Sequence, residues 1–376
     1  MRIVMVSNYL NHHQLPLCRA FCAMPDVEFT FVATMPIEQE RLQMGYEEMN
    51  HAYPFSLCAY DSPELECQAL DLCHNCDVLI AGSAPDCYVN GRNRTDRITF
   101  FYSERLFKER GFSWKTIPRY LKYRLKRPLF QGSYLLCSSA FCAGDYQKTG
   151  NFKGRAYKWG YFPEVKRLDI DAVLAPKEVS SPTILWVGRM IDWKHPEAAI
   201  LTAKRLKEAG YQFSLDMIGS GDRMPTLQTM IQEYQLQDQV RLLGNMSPQQ
   251  VREHMEQANI FLFTSDRGEG WGAVLNEAMN SGCAVVAANQ IGSVPYLLQH
   301  GKNGLVFQSE HWDDLYKKTK QLMDHKELRL SCGREAYQTM IRFWNGECAA
   351  QRLVQLAQHL RQNRTSPFED GPCSPA

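Results

Sequence analysis

The chain has 376 residues, 44% hydrophobic and 22% charged, with a net charge of +1, a soluble globular composition long enough for two domains. So balanced a charge gives no broad basic surface for nucleic acid, and no stretch approaches the apolar length of a membrane span. The 13 cysteines are odd in number and scattered, and the apolar run at residues 3–6 is too short for a signal peptide, so the sequence reads as reduced and cytoplasmic.

Residues 3–7, 27–33, 78–81, 98–102, 134–138 and 157–161 read as strands, most too uniformly apolar to leave one face in water. They predict a parallel sheet with helices on both faces, a first domain over residues 1–165. The first strand runs into the polar turn Asn8-Tyr9-Leu10-Asn11-His12-His13-Gln14, where His12 and His13 suit either an acceptor or a solvated helix start. Cys73-His74-Asn75-Cys76, with Cys67 nearby, has no second ligand pair at usable spacing and reads as packing at a helix end. Glu104 follows the strand at 98–102, a position open to a general base or to a solvated loop carboxylate.

The next segment concentrates charge. Arg105, Lys108, Arg110, Lys115, Arg119, Lys122, Arg124, Lys126 and Arg127 face the single acid Glu109, interleaved with Phe107, Phe112, Trp114, Tyr120, Leu121, Tyr123 and Leu125. Such a basic, aromatic, partly helical surface fits peripheral contact with an anionic membrane or acceptor, or a solvated helix. Residues 166–181 read as a linker, and residues 363–376, rich in Pro and polar residues, as a disordered tail.

The second half alternates strands and helices at short spacing, defining a domain over residues 182–345. The strand at 183–187 leads to Gly188-Arg189-Met190-Ile191-Asp192-Trp193-Lys194-His195-Pro196, with Pro196 suited to a first helical turn. Arg189 and Lys194 thus stand at a strand's carboxyl end, where two cations can neutralise a diphosphate. The strand at 214–218 leads to Gly219-Ser220-Gly221-Asp222, and that at 240–243 to Gly244-Asn245-Met246, whose backbone groups can read a base. The buried strand at 260–264 opens onto Ser265-Asp266-Arg267-Gly268-Glu269-Gly270-Trp271-Gly272-Ala273-Val274 and a short helix carrying Glu277, ended by Gly282 before a further strand at 283–288. A Gly-rich loop before a helix suits an anionic, hydroxyl-rich ligand.

These residues carry a resemblance. Gly188-Arg189 with Lys194, Gly219-Ser220-Gly221, Gly244-Asn245-Met246, Glu269 and Glu277 with their spacer, and Gly301-Lys302-Asn303-Gly304-Leu305-Val306 resemble, in order and spacing over residues 183–307, the C-terminal half of the family 4 glycosyltransferases. The resemblance implies an α/β GT-B fold, two Rossmann-like domains with parallel sheets facing across a cleft, and a last helix at 346–362 crossing back to the first domain. It implies that Arg189 and Lys194 bind the diphosphate of a nucleotide-diphosphate sugar and that Glu277 holds the ribose. Glu269 would meet the transferred sugar, the amides of Gly270, Trp271, Gly272, Ala273 and Val274 would face sugar and phosphate, and the base would lie near Gly244, Asn245 and Met246. It further implies retaining transfer to a saccharide or lipid-linked acceptor without metal or cofactor. By their position His12, His13 and Glu104 read as the acceptor side, and the basic segment Arg105 to Arg127 as a peripheral membrane contact of a cytoplasmic protein. Asp169-Ile170-Asp171 is similar to the metal-holding aspartates of another transferase class, but lies in the connector. Two departures stand out: Asn11-His12-His13 replaces a frequent Gly-Gly turn, and Gly292-Ser293-Val294-Pro295-Tyr296 replaces Gly-Gly-x-x-Glu. The alternatives are a sugar-nucleotide 2-epimerase of similar fold and a non-catalytic nucleotide-sugar-binding scaffold.

Overall fold

The computed structural model describes residues 1–39, 47–92, 96–109, 114, 116–179 and 181–376, which form two compact units. The first comprises Met1–Glu164 and Phe343–Ala376, the second Val165–Arg342.

In the first unit β1 (Arg2–Ser7), β2 (Glu28–Ala33), β3 (Ser56–Cys58), β4 (Val78–Ala81), β5 (Ile98–Ser103), β6 (Tyr134–Cys137) and β7 (Ala156–Lys158) form a parallel sheet in the order β3-β2-β1-β4-β5-β6-β7. Ile3, Val4, Met5 and Val6 are all buried, which requires cover on both faces because successive side chains point opposite ways. The helix Leu15–Cys22 supplies part of that cover through Leu17, Cys18 and Phe21. The helix Gly346–Arg361 also belongs to this unit, burying Ala349, Ala350, Leu353, Leu356, Ala357 and Leu360 along one stripe. Gly346 is required at that contact, because a Cβ there would lie 2.8 Å from the Pro16 carbonyl.

Several sequence expectations change here. The strand read at 157–161 ends at Lys158, after which Trp159 and Phe162 pack edge to face at 4.9 Å in the core. The tail is ordered: Cys373 N–H donates to the Lys158 carbonyl at 2.8 Å, Lys158 N–H to Ser374 at 2.8 Å, and Ala376 N–H to Ala156 at 3.0 Å. The polar composition of the tail hid this, because its partner is the open edge of β7, whose unpaired backbone groups attract another strand. Residues 166–181 are not a free linker either. Asp169 caps the helix Ile170–Leu174, whose Ile170 and Leu174 pack with Tyr337, and Tyr337 Oη donates to the Leu168 carbonyl at 2.7 Å. Cys73 and Cys76 lie in the core around a helix C-terminus, where buried Arg92 donates to both of their carbonyls at 2.7 and 2.8 Å. All 13 cysteines are free thiols.

The basic segment is only partly a surface. Arg105 is buried with its guanidinium 4.4 Å from the Phe141 ring, Arg119 pairs with Glu109 at 2.7 Å, and Lys126 pairs with Asp86 at 2.6 Å. Arg110, Phe112 and Lys115 lie outside the described residues. Among the described residues no helix is long and apolar enough to cross a membrane.

In the second unit β8 (Thr183–Val187), β9 (Ser214–Ile218), β10 (Val240–Gly244), β11 (Ile260–Phe263), β12 (Ala284–Ala288) and β13 (Leu305–Phe307) form a parallel sheet in the order β10-β9-β8-β11-β12-β13. The chain leaves β8 toward β9 but returns on its other side as β11, so the loops after these neighbours diverge and leave a crevice at their carboxyl ends. The loop after β9 presses against the loop after β8. Gly219, at φ +128°, has no room for a side chain, since a Cβ would lie 2.0 Å from the Gly188 carbonyl oxygen. Gly210, at φ +82°, has nothing within 4 Å.

Gly219→Ala therefore combines strain with overlap and should cost about 3 kcal/mol or more, whereas Gly210→Ala should cost only about 1 kcal/mol for its left-handed backbone. Urea unfolding of both variants checks this, and equal losses would contradict the close approach.

Candidate functional site

The site is built from the loops that leave β8, β9, β10 and β11. Gly188 N–H donates to the Ile218 carbonyl at 3.0 Å and Met190 N–H to the Ser220 carbonyl at 2.7 Å, so the loops after β8 and β9 run as a zipped pair. Arg189 projects from this pair into solvent, 5.8 Å from the Trp193 ring, and makes no ion pair among the described residues.

The next turn, Asp192–Lys194, is tied to the loop after β11. Asp266 N–H donates to the Trp193 carbonyl at 3.0 Å, and Thr264 Oγ1–H donates to the Lys194 carbonyl at 2.7 Å while accepting from Trp186 Nε1 at 2.9 Å. Lys194 Nζ forms an ion pair with Glu269 Oε2, an oxygen that also accepts from Ser265 Oγ at 3.0 Å. Both partners are largely buried, at 13% and 10% side-chain exposure, so each charge depends on the other. The ammonium also lies 4.6 Å above the Trp193 ring.

Beyond Glu269 the chain turns sharply. Gly272, at φ +85°, sits where a Cβ would meet Phe263 Cζ at 2.4 Å, so the loop presses on the end of β11. Trp271 is fully buried and donates from Nε1 to Asn276 Oδ1 at 2.9 Å, fixing the loop on the short helix Val274–Asn280. The amides of Gly270, Gly272, Ala273 and Val274 donate to no other group among the described residues. Glu277 follows on that helix, half-buried, and its carboxylate accepts no hydrogen bond among the described residues. Burial raises its carboxyl above the ordinary range, opposed by the charge of Arg252. On the other side, Gly244 ends β10 at φ +72° and accepts from Gly219 N–H at 2.8 Å, followed by exposed Asn245 and half-buried Met246.

Gly188, Arg189, Lys194, Gly244, Asn245, Met246, Glu269, Gly270, Trp271, Gly272, Ala273, Val274 and Glu277 thus gather along the carboxyl ends of four strands of one sheet. His12, His13 and Glu104 assemble separately within the first unit. The His13 ring stacks on Tyr161 at 5.0 Å, His12 meets His13 edge-on at 3.9 Å, and Tyr161 Oη donates to Glu104 Oε1 at 2.6 Å. Glu104 Oε2 accepts from Lys108 at 2.9 Å, so both its oxygens are engaged.

Sequence reasoning missed His195. It caps the helix Pro196–Glu208 in the left-handed conformation, φ +49°, and its ring lies 3.0 Å from Glu197, 3.5 Å from Asp266 and 3.8 Å from Glu310. Burial opposes its protonation, but Asp266 and Glu197 outweigh that and push the imidazole up to about 9. The protonated ring holds Asp266, whose carboxylate accepts from Gly268 N–H at 2.7 Å and whose carbonyl accepts from Glu269 N–H at 3.1 Å. The only signal in the sequence was the acid two residues on, which is too common to notice.

A pKa raised on folding contributes stability that is complete below about 6.5 and is lost as pH rises through about 9. Wild type should therefore exceed His195→Gln in thermal midpoint by several degrees at pH 6, and the gap should close by pH 10. A gap independent of pH would contradict the protonated clamp.

Residues 173–339 match the family model described as glycosyl transferases group 1. The putative colanic acid biosynthesis glycosyltransferase WcaL of Escherichia coli strain K12 is 30% identical over 184 residues, 46% of this chain and 43% of that protein. The amylovoran biosynthesis glycosyltransferase AmsK of Erwinia amylovora is 33% identical over 126 residues, 32% of this chain and 31% of that protein. The chain thus spans less than half the length of the curated relatives it matches. Among solved structures, Anabaena HepE in complex with UDP superposes with a TM-score of 0.66 at 15% identity, covering 94% of this chain and 99% of that one. Sucrose-phosphate synthase of Thermosynechococcus elongatus gives 0.65 at 15% identity, covering 96% and 100%. Residues 173–339 thus carry a glycosyl transferases group 1 domain, and the two parallel-sheet units share the GT-B fold of these structures.

Proposed function

We propose that the chain transfers a sugar, with retention of anomeric configuration, from a nucleotide-diphosphate sugar to a saccharide or lipid-linked acceptor in surface polysaccharide or glycolipid assembly. The observation that carries this reading is a complementary set of unspent groups at one sheet edge. Arg189 has no counter-charge, four loop amides have no acceptor, and Glu277 has no donor among the described residues. A nucleoside diphosphate supplies what each lacks: phosphate oxygens for the cation and amides, ribose hydroxyls for the carboxylate.

In this reading the base lies by the backbone of Gly244, Asn245 and Met246, and the ribose on Glu277. The diphosphate lies between Arg189, Lys194 and the amides of residues 270–274. Breaking the bond between the anomeric carbon and the phosphate oxygen leaves the electron pair on the diphosphate. Cations and amides already fixed there stabilise that growing charge more than the ground state, the work a divalent ion does in other transferases. Glu269 restrains Lys194 and offers its carboxylate to the sugar. The acceptor oxygen attacks the face the diphosphate leaves and passes its proton to a departing phosphate oxygen, so no protein nucleophile is needed. His12, His13 and Glu104 are the acceptor-side residues, and Glu104, held by Tyr161 and Lys108, suits positioning the acceptor hydroxyl.

A thermal-shift screen against UDP, GDP, ADP and their sugar conjugates tests the reading, with UDP first because it is bound in the Anabaena HepE structure. A ligand that binds only the folded state adds about 2.7 kcal/mol at about 100 times its dissociation constant. Arg189→Ala should keep the unliganded midpoint, because Arg189 is exposed, and weaken donor binding about 10- to 100-fold. Glu269→Gln, chosen because alanine would strand buried Lys194, should lower the transfer rate about 100-fold or more. No shift with any nucleotide would overturn the reading, and an altered sugar released without acceptor would point to a 2-epimerase.

A further inference from the structure

Apart from the donor loops, one side-chain cluster in the first unit has the chemistry of a metal centre. His51, Cys58 and Asp61 each bring one donor atom to within 4.8 Å of the other two. Regular elements hold them. Cys58 ends β3, and Asp61 closes the next turn, its N–H donating to the Cys58 carbonyl at 3.2 Å, just before Ser62 caps the helix Pro63–Asn75. Two donors three residues apart on one turn have the spacing with which zinc-binding cysteine pairs are presented. His51 reaches them from an earlier turn, where Glu48 accepts from its backbone N–H at 3.3 Å.

The surroundings of each donor fit a ligand role. His51 Nδ1 lies 3.4 Å from Glu48 Oε2, and Nε2 lies 2.9 Å from Asp61 Oδ2. The ring can serve both carboxylates as an imidazolium, or it can give its Nδ1–H to Glu48 and share a cation with Asp61 through Nε2. Cys58 favours the second arrangement. Its side chain is buried, at 6% exposure, and adds nothing to an imidazolium–carboxylate pair. Asn50 Nδ2 donates to Tyr60 Oη at 3.1 Å, which leaves the phenolic O–H to donate to the Cys58 sulfur, a bond that a thiolate accepts more strongly than a thiol. A thiolate, a carboxylate and an imidazole carry two negative charges, the match for a divalent ion, and mixed sulfur, nitrogen and oxygen donors suit zinc over magnesium or calcium. Four-coordinate zinc spaces its ligands about 3.3 to 3.6 Å apart, so shifts of about 1 Å complete the geometry. The His51 and Asp61 side chains are 56% and 38% exposed, which gives an ion a way in and water a fourth position.

We propose that His51, Cys58 and Asp61 form a zinc site in the first unit, with Glu48 orienting the imidazole and Tyr60 the sulfur. The site is independent of the transferase reading. Its place gives it a structural consequence: Asn50, next to His51, is buried and accepts from Leu10 N–H at 2.8 Å. Zinc thus fixes the support of the loop after β1 that carries His12 and His13.

Titration of the full, chelator-treated chain with zinc alone, and with cobalt as its coloured substitute, tests this. Wild type should take up one equivalent of zinc at micromolar concentration and gain in thermal midpoint, because the ion binds only the folded chain. Cobalt should give a thiolate-to-metal charge-transfer band together with the visible bands of a four-coordinate ion, and Cys58→Ser should remove the charge-transfer band. His51→Gln and Asp61→Asn, both at exposed positions, should keep the metal-free midpoint and lose the equivalent. Glu48→Gln, which touches the ligand and not the ion, should weaken zinc about 10- to 100-fold. No uptake by wild type, a cobalt complex without the thiolate band, or an equivalent retained in both His51→Gln and Asp61→Asn overturns the proposal. The last result would place the ion elsewhere, with Cys73 and Cys76 the next thiols to replace.

Discussion

The second unit depends on one constraint: the loops that leave β8 and β11 diverge in the chain but must be held together at the point where the strand order reverses. The Lys194–Glu269 ion pair provides that tie, supported by hydrogen bonds from Thr264, Asp266 and Trp186. A buried pair of this kind contributes little net stability, because desolvating two charges offsets most of their attraction. Its value lies in position. It fixes a cation and a carboxylate in one geometry before any ligand arrives, so little reorganisation remains to be done.

That tie also distributes charge. Lys194 is matched by Glu269, and protonated His195 by Glu197, Asp266 and Glu310, while Arg189 has no counter-charge among the described residues. On the proposed reading an arriving anion meets Arg189 and the loop amides first and then competes with Glu269 for Lys194. Close packing makes this possible. Gly219 lets the loop after β9 rest on the Gly188 carbonyl, and Gly272 lets the loop after β11 rest on Phe263, so neither loop can drift without breaking several contacts.

Much of this was legible in the sequence. Strands buried on both faces read as apolar runs, and the glycines, Arg189, Lys194 and Glu269 fell at strand ends, with Glu277 on the helix that follows. What could not be read were contacts between residues far apart in the chain. Nothing local marks Lys194 as the partner of a carboxylate 75 residues away, His195 as a clamp, or Tyr161 as a donor to Glu104. The tail looked disordered because its structure depends on the open edge of β7. In the basic segment the charge was visible, but which cations were already committed to Asp86, Glu104, Glu109 or Phe141 was not.

The central claim is that a nucleoside diphosphate lies along the carboxyl ends of β8, β10 and β11 with its ribose on Glu277. The most direct measurement is a calorimetric cycle that pairs Glu277→Gln with removal of the ribose hydroxyls, comparing UDP with 2′,3′-dideoxy-UDP. If each hydroxyl donates to Glu277, wild type should lose about 10-fold or more in affinity on their removal, and the Gln variant much less. Equal losses in both proteins would place the ribose elsewhere and contradict the account.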